Sequence, residues 1–272
     1  DYGAMLDQFA LQARRFGMVN RIVSLPNEPR SDDEIVQLYA SAITPKTRLL
    51  LISHMVNITG QVLPVRKVAA MARAKGVAVA VDGAHAFAHL DFRIPDLGVD
   101  YYAASLHKWL GVPLGAGILY VQRDRIEALW PLFGESGFPD TDIRKLNHTG
   151  THPVHTDLAI QHAVALHESI GVQRKEARLR YLQQYWTTKV RGVKNIVVNT
   201  PAESSRAAGI ANVGVSTMPP AALAKTLLEK YRIWTVAIDR ENVRGARITP
   251  HLHTSPAELD VLVRALRELA ST

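Results

Sequence analysis

The chain has 272 residues, 47% of them apolar and 21% charged, and a formal net charge of +7. That length can bury a sizeable core in one large domain or two modest ones, and the composition excludes a disordered or membrane-spanning class. The absence of cysteine excludes disulfides, thiolate metal sites and a cysteine nucleophile within this chain.

The sequence starts at Asp1, with neither Met nor a signal-peptide pattern, as expected of a piece of a longer protein. Residues 46–54 (KTRLLLISH) form an apolar run ending in polar residues and predict a strand. Pro64 opens a helix at its first turn and Gly76 closes it. Residues 77–82 (VAVAVD) follow as a short strand of the buried type. Residues 100–105 (DYYAAS) and 115–121 (GAGILYV) are two more. Strand, helix and strand at this spacing predict an α/β fold with a doubly wound, mostly parallel sheet. Ligands of such sheets collect beyond the carboxyl ends of the strands, where His54, Asp82 and the group from Ser105 to Lys108 stand.

Residues 133–153 are rich in Gly, Pro, Asp and Thr and read as a long loop of the kind that carries function. Helices are expected over 157–170, closed by Gly171, and over 176–190. The pattern then changes. Strands at 195–200, 209–216, 232–238 and 245–249 mix with helices at 221–231 and 256–270. A large domain over 1–172, incomplete at its N-terminus, followed by a smaller α+β domain over 173–272 is the expected organisation. Lys and Arg are spread along helices such as 64–76 and 173–183 with no basic tail, so they read as solvated faces and no nucleic-acid partner is expected. No apolar run approaches the roughly 18 residues of a membrane span, so no membrane partner is expected either.

Asp82 closes one strand and Lys108 follows another, 108 − 82 = 26 residues on. A lone loop lysine is ordinarily a surface residue, and a strand-end aspartate ordinarily caps a turn or helix. Together at neighbouring strand ends they suit a site that holds an aromatic cofactor between them. A desolvated lysine amine forms Schiff bases with carbonyl compounds. A carboxylate on a pyridine nitrogen keeps it protonated, which makes the ring an electron sink. Ser105 and His107 supply donors suited to a phosphate.

The run VDGAHA…GVDYYAASLHKWLGVPLGAGILYV (81–121), with SHMVNITGQVLPV (53–65), HTGTHP (148–153) and GARITPHLHT (245–254), resembles the class V aminotransferase family of pyridoxal-phosphate enzymes, fold type I. The resemblance is greatest to the branch of isopenicillin N epimerase-like proteins. It implies pyridoxal 5'-phosphate as cofactor, an amino acid as substrate, a cytoplasmic homodimer, and a large cofactor-binding domain. By position it makes Lys108 the Schiff-base lysine and proton shuttle, Asp82 the partner of the ring nitrogen and His85 a donor to the cofactor's phenolic oxygen. It makes Ser105 and His107 phosphate ligands, and Thr151 a phosphate contact donated to a neighbouring subunit. Arg247 stands at the substrate-carboxylate position, Asn57 beside it, and Tyr2 where a ring stacks on the cofactor. Two departures are plain: the family's Gly/Thr-rich phosphate loop has no counterpart here, and Thr254 replaces a common Asn.

Rival readings are weaker. Asp82, His85, His89 and Asp91 could suggest a metal site, but no clear third-ligand pattern accompanies the His-x3-His pair. No G-x-S-x-G elbow supports a serine hydrolase, and GAG at 115–117 is too short for a dinucleotide fingerprint. Cysteine desulfuration is not expected of a chain without cysteine. Transamination stands first by family name, with epimerisation beside it. A lyase, or a dimerising scaffold without cofactor, remains the alternative.

Overall fold

A computed structural model describes residues 2–148, 150–152, 154–240 and 242–271. Two four-stranded sheets lie one after the other along the chain. The first holds β1 (Leu49–Ser53), β2 (Ala78–Asp82), β3 (Tyr101–Ser105) and β4 (Gly117–Val121), in that spatial order. β1, β2 and β3 run parallel, whereas β4 returns antiparallel to β3. A short connection of 106–116 explains the reversal, since a parallel crossover needs a dozen or more residues. The carboxyl ends of β1, β2 and β3 therefore open on one edge, with Ser53 opposite Asp82 and Asp82 opposite Ala103.

Two helices precede this sheet, α1 (Gly3–Phe16) and α2 (Asp32–Ala42), neither of them expected from the hydrophobic pattern. α1 buries none of its residues, and it ends at Gly17 in the left-handed conformation. α2 starts where the Ser31 hydroxyl accepts the Glu34 N–H at 3.1 Å, a cap that satisfies one orphan donor of the first turn. α3 (Val65–Ala74) buries Val65, Val68, Ala69 and Ala72. That stripe at i, i+3, i+4 and i+7 packs the helix onto β1 and β2.

α4 (His155–Ile170) leads through Gly171 into α5 (Val172–Val190), which starts four residues earlier than its sequence pattern predicts. The second sheet is antiparallel, in the order β5 (Ile196–Val198), β6 (Ala211–Val215), β8 (Val243–Ile248) and β7 (Val236–Arg240). The helices α6 (Pro220–Tyr231) and α7 (Pro256–Ser271) cover it. α5 serves both halves. Its Leu179 packs with Met55, Trp109 and Leu110 of the first half. Its Leu182, Trp186 and Val190 belong to the core of the second.

The expected boundary at 172/173 therefore falls at the head of a helix shared by both cores. Arg206 ties the halves together, with ion pairs to Asp32 at 2.6 Å and Glu203 at 2.7 Å. The Thr200 hydroxyl adds a hydrogen bond to the Thr59 carbonyl at 2.6 Å. Among the described residues, no helix is long and apolar enough to cross a membrane.

Candidate active site

Asp82 is the last residue of β2 and stands at the open edge of the sheet. Its carbonyl accepts the His54 N–H at 2.9 Å. Its carboxylate Oδ1 accepts the Ala84 N–H at 3.0 Å, which fixes the side chain over the following turn. Gly83 is required there, because a Cβ would lie 2.0 Å from the Tyr102 ring. The Tyr102 hydroxyl in turn sits 3.3 Å from His54 Nδ1. Burial, then the Asp82 charge, raises the Tyr102 hydroxyl above its ordinary range, so the phenol stays protonated beside the carboxylate.

Lys108 lies in the turn that follows β3 and is half-buried. Burial pushes its amine down, Asp82 opposes that shift and Arg247 reinforces it. The lysine therefore lies within electrostatic reach of both a carboxylate and a guanidinium. Arg247 comes from β8 of the other half, 139 residues further along the chain (247 − 108 = 139). Its Nη1 donates to the Asn57 carbonyl at 3.2 Å. Its Nε is buried without a partner, as is Oδ1 of Asn57. Burial also lowers the Arg247 guanidinium from its usual range. Unmet hydrogen-bonding capacity in a buried guanidinium is costly unless something supplies an acceptor.

His85 belongs to the same group. Burial, then the Lys108, Arg247 and His107 charges, push it down to about 3, so its imidazole is neutral. Its Nδ1 accepts the Trp109 indole N–H at 3.2 Å. Trp109 was not anticipated, and neither was His251, whose ring stacks on the indole at 5.5 Å and 9°. Lys175 is a further addition: it is buried, pushed down to about 8 by burial, and donates to the Trp109 carbonyl. The adjacency of Trp109 to Lys108 was the one signal in the sequence that could have pointed here.

The structure thus brings together Asp82, His85, Lys108, Arg247 and Asn57. Ser105, half-buried at the end of β3, and the exposed His107 flank Lys108 on the same turn. Tyr2 is not part of the group: it caps the start of α1 at 57% exposure, and the neighbouring Gly3 lies near Arg240 of β7. Thr151 lies exposed in the loop before α4, and Thr149 and Pro153 of the same motif fall outside the described residues. The metal-site alternative finds no support in the geometry. Nε2 of His89 is occupied by the Gly209 N–H at 2.9 Å, and among the described residues no three potential ligands converge.

The group carries the cations Lys108 and Arg247 against the one carboxylate of Asp82, a balance that favours an anionic occupant. The family model "Aminotransferase class-V" matches residues 13–237. The isopenicillin N epimerase of Amycolatopsis lactamdurans is 33% identical over 278 residues, covering 95% of this chain and 69% of that protein. The fold is also that of a cysteine desulfurase from Thermococcus onnurineus, with a TM-score of 0.85 at 18% identity, over 100% of this chain and 71% of that one. A variant of the lyase C-DES, solved with glycine covalently linked to its pyridoxal-phosphate cofactor, superposes with a TM-score of 0.84 at 24% identity, over 98% of this chain and 72% of that one.

Proposed function

The chain belongs to the class-V aminotransferase family, and from that premise we propose that its cleft performs proton transfer at the α-carbon of an amino acid, with epimerisation as the net reaction. The cofactor is pyridoxal 5'-phosphate. When bound, it supplies an aldehyde that takes up the substrate amine and a protonated ring that spreads negative charge away from the α-carbon.

The residues present fit that group. The unpaired Nε of Arg247 and Oδ1 of Asn57 await polar partners, and the amine of Lys108 stands between Asp82 and Arg247 in charge. That arrangement is the observation that carries the reading. Lys108 Nζ is the group that removes the α-proton, because a half-buried amine with a lowered pKa is unprotonated more often at neutral pH, and inversion requires a proton to return to the opposite face of the α-carbon. Asp82 holds the proton on the ring nitrogen. His85, with Nδ1 already taken by Trp109, offers its other ring nitrogen as a donor to the phenolic oxygen. Ser105 and His107 hold the phosphate. Thr151 joins them from a second copy of the chain, and the exposure of Trp130 (93%) and Leu132 (91%) supports self-association. Sedimentation of a single-chain species at micromolar concentration would remove that dimer.

Arg247 orients the substrate carboxylate through a guanidinium fork, leaving the α-C–H bond directed at Lys108. Arg247→Ala is expected to raise KM by roughly ten- to a hundredfold, the span of a charge-assisted hydrogen bond, with Arg247→Lys intermediate. An unchanged KM would place the carboxylate elsewhere. Asp82→Ala is expected to lower kcat by roughly 10²–10³-fold, on the scale of lost electrostatic stabilisation in a site, while KM moves little. Equal turnover in that variant would refute its part in charge delocalisation.

The relative's epimerase activity favours return of the proton to the α-carbon. Transamination would instead deliver it to the cofactor, and β- or γ-elimination would release a leaving group. Incubation of the cofactor-loaded protein with single amino acids separates the three outcomes. Loss of optical activity with no keto acid is the expected result. Keto acid accumulation would replace epimerisation by transamination. A protein that develops no visible band with pyridoxal phosphate would leave the scaffold reading in its place.

A further inference from the structure

Trp109 makes four directed contacts for a residue one position from the reactive lysine. Its carbonyl accepts from the buried Lys175 of α5. Its ring meets His89 at a centroid distance of 3.9 Å on one side and stacks on His251 at 5.5 Å. Its indole N–H donates to Nδ1 of His85 at 3.2 Å. The turn that carries His85 is itself held firmly: Ala88 is kept at a φ of 57°, a left-handed conformation that an alanine adopts only under constraint. One residue further, His89 Nε2 accepts the Gly209 N–H from the opposite half.

An indole nitrogen can only donate. Opposite it, Nδ1 of His85 must carry a lone pair. Because the ring is neutral in this half-buried, cation-lined position, its single proton lies on Nε2. We propose that Trp109 is a positioning residue that locks His85 in the Nε2–H tautomer, so that His85 can only donate, never accept, toward the oxygen of the occupant beside Lys108. This rests on the reading of the cleft as a pyridoxal-phosphate site, and it adds to that reading the group that sets the imidazole's polarity. Its consequence is selectivity for a negatively charged or carbonyl oxygen at that point, against a hydroxyl that must itself donate.

The test is nitrogen NMR of the cofactor-free chain carrying ¹⁵N-histidine, with His85 assigned through His85→Gln. Wild-type His85 should show a protonated Nε2 and an unprotonated Nδ1 throughout pH 6.5–8. Trp109→Phe keeps the ring and removes the donor, and should shift the tautomer ratio toward Nδ1–H by roughly fivefold, the worth of one hydrogen bond. In the loaded protein the same variant should move the pH at which the visible band changes. A wild-type His85 protonated at Nδ1 overturns the proposal, whether or not the variant folds. So does a Trp109→Phe protein in which the Nε2–H form is undiminished. Failure of the cofactor reading registers separately, as an absent visible band with the imidazole spectrum unchanged.

Discussion

Lys108→Ala is expected to cut turnover by roughly 10³–10⁴-fold or more, the loss of a general base together with a covalent attachment point, while leaving the fold intact. The two halves of that expectation have separate origins. The chemical half follows from the amine's position between Asp82 and Arg247. The stability half follows from what the side chain does in the folded state. None of the hydrogen bonds among the described residues uses its amine. Its charge is attracted to Asp82 and, to a smaller degree, repelled by Arg247. Removing it forfeits the attraction to Asp82 while ending the repulsion from Arg247 and the burial cost of the amine, effects that largely offset one another. The melting temperature should therefore stay near that of the wild type, and the cofactor should bind without reduction by borohydride fixing it to the chain. A large fall in melting temperature would make Lys108 a structural residue. Retained turnover would remove it from the chemistry.

The cofactor-free protein should lose stability steeply as the pH falls from about 6.5. Burial pushes His54 down to about 4, His85 to about 3 and His89 well below its ordinary value. In the unfolded chain all three titrate near ~6.5. Their folded pKa values lie lower, so the unfolded state binds more protons between the two. The stability they carry is complete above about 6.5 and is lost as the pH falls toward the folded values. With three protons taken up, the slope near pH 5 is on the order of 4 kcal/mol per pH unit. A domain's total is only about 5–15 kcal/mol. Denaturant titrations at half-unit intervals from pH 7.5 to 4.5 read this directly. His89→Gln should flatten the slope by about one proton, since an amide oxygen can still accept the Gly209 N–H. Stability level across that range would mean the imidazoles are hydrated in the folded protein.

The parallel strands and α3 were legible because their residues repeat locally: valine and alanine alternate through β2, and the α3 stripe falls at helical spacing. α2 was not expected, because its mixed polar surface hides the stripe, although Ser31 and Glu34 stand at the spacing of a helix cap. α1 has no buried face to leave a pattern.

What the sequence by itself determined is the pair Asp82 and Lys108, each set at a strand end by the few residues around it, together with the kinship of the whole chain. The turn chemistry and strand periodicity that place them act over a handful of positions. Only the tertiary structure decided that Arg247 meets Asn57 across 247 − 57 = 190 residues, that Tyr2 stays outside, and that the Trp109 indole N–H faces Nδ1 of His85. Those facts depend on how two sheets pack through α5, a matter of long-range burial and complementary shape that no local spacing encodes.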